Sequence, residues 1–168
     1  VTGIGGKPRG GAGMGLLRGF GAPVNRYRFR SLWTVRAEAD DVFDVVTDPG
    51  TYPLWWPDIH GVGRIDDDTA EVVCRSVLPY ALTFRMHRAE QDVSRGRMLI
   101  GMTGDLEGFC RSTVVAARRT VTLEITQDVI VNKTLLRALA PVARPVFRAN
   151  HAAMMWRGQR GLRRFLRR

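Results

Sequence analysis

Residues 133–168 carry ten Lys/Arg, contain no Asp or Glu, and repeat their apolar residues at helical spacing. Leu135, Leu139, Val142, Val146, Met154, Gly158, Leu162 and Phe165 fall near one face at steps of three or four, with Asn150 interrupting the stripe. A helix that long has to lie against something, and this requirement constrains the rest of the chain. Pro141 and Pro145 stand four apart, and an interior proline removes a backbone hydrogen bond. The spacing therefore predicts a short lead-in from Thr134, a kink or restart at 141–145, and a straight helix beyond.

What precedes the helix reads mostly as strands. Tyr27 to Ala37 alternates, with Tyr27, Phe29, Ser31, Trp33 and Val35 on one side and arginines mostly opposite. The period then changes. Asp40 and Asp41 open a short helix through Val42, Phe43, Val45 and Val46, which Asp48-Pro49-Gly50 closes. Tyr52 to Pro57 is a proline-bounded aromatic turn or short helix. Strands are expected at 62–65, 70–78, 82–89, 97–103, 106–116 and 121–131, separated by turn residues. About seven antiparallel strands, two short helices after the first, and one long final helix make an α+β fold, not an alternating parallel one. We read it as a curved sheet wrapped around the C-terminal helix with a ligand cavity between them.

The 168 residues suit one domain with a single core. No apolar run is long enough to cross a membrane, and no secretory pattern is evident at the N-terminus, so the expected setting is cytoplasmic. Residues 1–24 hold nine of the eighteen glycines and read as a flexible leader, with the ligand-binding domain over 25–168. The glycines at 11, 13 and 15 miss the dinucleotide-binding register, and no cofactor is expected. Cys74 and Cys110 lack partners at metal-ligand spacing and read as buried thiols, with no metal site. Charge is uneven: the net +10 comes from the two ends, while residues 37–132 are mildly acidic. Basic ends can attract an anionic membrane surface. They lack the interleaved aromatics of a nucleic-acid platform, so no specific nucleic-acid partner is expected.

Four stretches resemble the polyketide cyclase/dehydrase and lipid-transport group of the START-like (SRPBCC, Bet v 1-like) superfamily. They are Asp40 to Pro49, Tyr52 to Pro57, Gly104-Asp105-Leu106-Glu107-Gly108, and Asn150-His151-Ala152-Ala153-Met154-Met155. The resemblance spans about residues 26–167, and its last two motifs narrow it to bacterial stand-alone members. It implies a helix-grip fold with a cavity for a hydrophobic small molecule: a lipid, sterol, polyketide or other aromatic compound. Cyclase or dehydrase activity is open, and no catalytic residue follows from the resemblance. The alternative is a peripheral carrier that moves a lipid or quinone and touches the membrane with its basic termini. Oligomeric state is left open.

Candidate ligand contacts follow from position. Trp55 and Trp56 either stack on a planar ligand near the entrance or cap the bottom of the core. Leu82, Phe84 and Met86 alternate with Thr83, Arg85 and His87, and only one set can face inward. The apolar set has the better claim; were the polar set inward, Arg85 and His87 would hold an anionic or enolic ligand. Met102 and Met154 join the candidate walls. Asp105 and Glu107 share a strand face with Arg111, either for acid/base work or as an outer-face ion pair. Asn150 lies within the apolar stripe, so its amide must find a partner in the protein or the ligand. His151 points about 100° away from it.

Overall fold

Tyr27 faces Val129 and Phe29 faces Gln127 across an antiparallel ladder that joins the first strand to the last. This pairing sets the first strand at one edge of the sheet in the computed structural model, which describes residues 24–118 and 120–167. The elements in chain order are β1 (Arg26–Val35), α1 (Ala39–Thr47), a single 3-10 turn (Pro49–Thr51) and α2 (Tyr52–Trp55). Then come β2 (Ile59–Arg64), β3 (Thr69–Arg75), β4 (Ala81–Asp92), β5 (Arg97–Gly104), β6 (Leu106–Ala117), β7 (Thr120–Val131) and α3 (Thr134–Phe165). The seven strands form one curved antiparallel sheet in the order β1-β7-β6-β5-β4-β3-β2. This is the helix-grip architecture that the sequence predicts. Residues 1–23 of the glycine-rich leader lie outside the described residues.

The sheet's inner face follows strict alternation. Tyr27, Trp33 and Val35 on β1 and Val121, Leu123, Ile125 and Val129 on β7 are buried. Gly108 permits a bend in β6: its φ is +144°, and a Cβ there would collide with the Asp128 carbonyl oxygen. β4 runs to Asp92, past the predicted end at 89, across a register shift between Arg88 and Glu90 of the kind that bends a strand.

Two expectations for α3 need correction. The helix runs as one element through both proline positions, without the expected restart. The predicted stripe also splits. Met154, Gly158, Leu162 and Phe165 turn toward the fold, but Leu135, Leu139, Val142 and Val146 are exposed. The inward positions of the first half are Leu136 and Phe147. Its sequence is apolar on two sides, and periodicity alone does not decide which side the sheet covers.

The C-terminal half of α3 is pinned closely. A Cβ on Gly158 would stand 2.6 Å from the Trp56 ring and 2.9 Å from Trp33, and one on Gly161 would collide with the Trp55 carbonyl oxygen. Arg157 donates two hydrogen bonds to Asp58, at 2.9 and 2.5 Å, with the Asp58 side chain almost fully buried. At the other end the Lys133 ammonium donates to the Ala81 carbonyl at 2.6 Å and lies 3.5 Å from Asp105. Asp105 also accepts from the Thr83 amide, and Glu107 accepts from Asn132. The two carboxylates therefore fasten strand ends; neither pairs with Arg111, which lies over Phe109.

Candidate functional site

Beneath the first half of α3 the sheet and helix separate enough to leave a cavity of about 150 Å³. β1 supplies Tyr27 and Phe29, and β7 supplies Gln127, Val129 and Val131. Phe84 and Leu106 form part of the sheet side; Leu136, Phe147, Asn150, His151 and Met154 form the helical roof. A second chamber of about 120 Å³ lies deeper, walled by Trp55, Met86, Met102 and the sheet's apolar residues. The two chambers share Trp56, Ile59, Phe84, Leu106 and Gln127 as walls. Roomier clefts open beside Asp66–Asp68, where the lining reaches Met86, Met98 and Ile100 of the inner chamber, and beside Trp156, where three arginines border apolar residues. The buried chambers have the character of a small-molecule site: apolar walls with a few polar groups.

Those polar groups are specific. Among the described residues, the Tyr27 hydroxyl and the Asn150 Oδ1 atom are both buried without a hydrogen-bond partner. Such orphaned groups are uncommon in folded proteins and call for an explanation. Burial holds the Tyr27 phenol above its ordinary value, with Arg144 and Arg148 opposing the shift, so it remains a donor at neutral pH. The Asn150 amide nitrogen has only a weak contact with the Met154 sulfur at 3.5 Å, leaving the oxygen as a free acceptor. The site thus offers one hydroxyl donor and one amide acceptor to whatever enters.

His151 is held by different neighbours. Its ring stacks on Phe29 with centroids 3.6 Å apart, and Nε2 lies 2.6 Å from Gln127 Oε1. Burial, with Arg148 adding to it, pushes the imidazole down to about 4. At neutral pH it is uncharged, with Nε2–H donating to Gln127. A base that weak is poorly matched to proton abstraction at neutral pH. The wall thiols supply no base at neutral pH either: burial pushes Cys74 and Cys110 up to about 12, so both stay protonated. The cavity is equipped to orient a ligand by hydrogen bonds.

Of the positions singled out from sequence, Trp56, Phe84, Asn150, His151 and Met154 line the outer chamber. Trp55, Met86 and Met102 line the inner one. Trp55 and Trp56 do so as part of the packed floor, where Trp33, Tyr52 and both indoles meet edge-on or stacked. The Trp56 indole N–H donates to the Met154 carbonyl at 3.1 Å, which ties the floor to α3. Arg85 and His87 do not join them. They occupy the outward parity of β4, where Arg85 faces Glu71 at 3.8 Å and His87 meets the Thr69 hydroxyl at 3.1 Å. The apolar set of that strand wins the inner face, because an unpaired guanidinium there would lose its hydration.

Tyr27 and Gln127 are cavity-lining positions that sequence reasoning does not single out. Each had a signal. Tyr27 shares the inward parity of Phe29 and Trp33, and Gln127 is the one polar residue among Val121, Leu123, Ile125 and Val129 at their spacing.

Solved structures share this architecture at low sequence identity. The ZhuI aromatase/cyclase from Streptomyces sp. R1128 superposes with a TM-score of 0.72 at 14% identity, covering 85% of this chain and 94% of that one. A START superfamily protein from Mycobacterium smegmatis gives 0.65 at 17% identity, covering 83% and 97%. A search of curated proteins finds no match. The family described as "Polyketide cyclase / dehydrase and lipid transport" matches residues 35–156, from the end of β1 into the second half of α3. On that match across most of the fold, the chain belongs to the polyketide cyclase/dehydrase and lipid-transport family.

Proposed function

We propose that this protein binds a hydrophobic small molecule, lipid or aromatic/polyketide-like, between the sheet and the first half of α3. The observation that carries the reading is the pair of orphaned polar atoms, Tyr27 hydroxyl and Asn150 Oδ1, on an otherwise apolar cavity wall. A ligand with one acceptor and one donor, such as a carbonyl and a hydroxyl, would satisfy both while its body fills the apolar space. The ZhuI protein is an aromatase/cyclase by description, which makes a polycyclic or folded polyketide-like skeleton a natural candidate.

Cyclase or dehydrase turnover is a second reading, favoured by the protonated Tyr27 hydroxyl. Its donated hydrogen bond would polarise a ligand carbonyl while the walls hold a flexible chain in a reactive fold. The carrier reading differs in where the ligand goes, and it requires a surface that meets a membrane. In either case residues 25–168 act as the ligand-binding domain.

The test is native mass spectrometry of the full chain, followed by extraction of whatever it retains. Displacement of a naphthalene-sulfonate fluorophore from wild type, Tyr27→Phe and Asn150→Leu then locates the compound. A retained or captured apolar compound that both variants hold less tightly supports the proposal. An empty protein that takes up no apolar probe would sink it.

A further inference from the structure

The outward side of α3 is apolar along most of its length. Leu135, Leu139, Val142 and Val146 are 59%, 46%, 86% and 52% exposed. Ala138, Pro145, Ala149 and Ala152 fill the same side and are also exposed. Steps of three and four then lead to Trp156, 55% exposed. The face extends for about 30 Å at the helical rise. It is distinct from the cavity roof, since Leu136 and Phe147 of the same turns point inward. Scattered exposed Leu or Val residues mean little, but a continuous row is the mark of an interaction surface.

Charge identifies the occupant. α3 contains no Asp or Glu, and Arg137 and Arg148 are exposed beside its first half, while Arg144 turns inward onto the Val24 and Arg26 carbonyls. Arg160 lies 4.6 Å over the Trp156 ring, and Arg164 lines the same cleft. A second copy would bring these arginines against one another. The leader would do the same, because residues 1–36 hold only basic charges. The face needs an anionic partner that accepts a long aliphatic row without shaped pockets. An exposed Trp stacked with Arg, at the end of such a row, matches the headgroup layer of a bilayer. Leu54 of α2, 71% exposed, borders the same Trp156 cleft.

We infer that the outward face of α3 docks this protein on an anionic lipid surface, lying in the interface, with the cavity roof formed by the same helix. Among the described residues no helix is long and apolar enough to cross a membrane, so α3 would lie on the bilayer and not span it. The inference rests on the carrier reading for its purpose, and not on which ligand the cavity holds. The apolar row would bury among acyl chains while the arginines meet lipid phosphates, each worth little alone.

Co-sedimentation of the full chain with phosphatidylcholine vesicles, with and without phosphatidylglycerol, tests it. The key variant is Leu139→Glu with Val142→Glu; both side chains are exposed, so the fold should persist. The control is Val93→Glu with Val115→Glu, which makes the same charge change at exposed positions away from α3. We expect wild type to bind the anionic vesicles, the control to bind nearly as well, and the α3 pair to lose about tenfold or more. Uptake of the fluorescent cavity probe, measured on all three proteins, keeps a docking failure separate from a failure of the cavity reading. Equal losses in both variants, or none in the α3 pair, would overturn the inference. So would an absence of vesicle binding in wild type, including the case where the face instead mediates self-association or capture of an acidic protein.

Discussion

The two halves of α3 use one helix for opposite purposes. From Met155 onward the helix is driven into the fold: Gly158 and Gly161 give up their side chains so that it can approach three tryptophans, and Arg157 locks onto buried Asp58. From Thr134 to Asn150 it stands off the sheet, fixed at its start by Lys133 and flanked by Arg144, which donates to the Val24 and Arg26 carbonyls. The space this leaves is the outer cavity. A close-packed half and a vaulted half teach that the cavity is not a packing defect. It is what remains when a rigid helix is anchored hard at one end and propped by polar contacts at the other.

If that contrast holds, the largest stability losses belong to the anchored half. Arg157→Ala would leave the Asp58 carboxylate buried and unpaired, at a cost of about 3–5 kcal/mol. Urea unfolding reads the loss, and Arg157→Ala with Asp58→Leu should recover part of it by removing the stranded charge. A loss below about 1 kcal/mol would mean that the pair is not the clamp we describe.

Gly161→Ala tests the close approach itself. The added methyl meets a backbone carbonyl, which cannot rotate away, so the helix must lift from α2; we expect about 3 kcal/mol. Ala138→Leu in the vaulted half is its counterpart, and should shift stability by no more than about 0.5 kcal/mol because the position faces outward. Similar midpoints for the two variants would erase the distinction between the halves.

His151 reports the vaulted half through pH. Its folded value is about 4 against an ordinary 6.5, so the unfolded chain takes up the proton first. The contribution is therefore fully present above the ordinary value and is lost as pH falls from 6.5 toward 4, by roughly 3 kcal/mol at most. Asp128, held down to about 2 by Arg26 and Arg28, acts in a lower window, below the ordinary carboxylate value of 3.8. Unfolding curves between pH 7 and 4 should show the His151 limb, and His151→Phe should flatten it.

How much of this was legible in the sequence depends on which force sets each feature. Strand alternation is dictated by burial on one side, so β1 and β4 to β7 and their inward residues could be read directly. The outward stripe of α3 could not be read, since Leu135, Leu139, Val142 and Val146 look as core-like as Leu136 and Phe147 until the sheet chooses between them. The Asp58–Arg157 clamp was equally hidden, because residues 99 apart in sequence carry no local pattern. Asn150 was visible as a polar break in an apolar row; Tyr27 was legible as an inward aromatic, but its hydroxyl was not legible as a polar contact.

Tyr27 gives the smallest stability effect and the sharpest separation of roles. If its hydroxyl exists for a ligand, its burial without a partner is a standing cost to the empty protein. Tyr27→Phe keeps the ring stacked near Phe29 and under Arg144 while deleting only the orphaned atom. The empty protein should then be unchanged or more stable by up to about 1 kcal/mol, and the retained ligand should bind about five- to tenfold more weakly. A structural hydroxyl would give the reverse: lower stability with affinity untouched. Because the two readings move stability and affinity in opposite directions, one variant measured both ways decides whether the vault was shaped around a polar ligand atom.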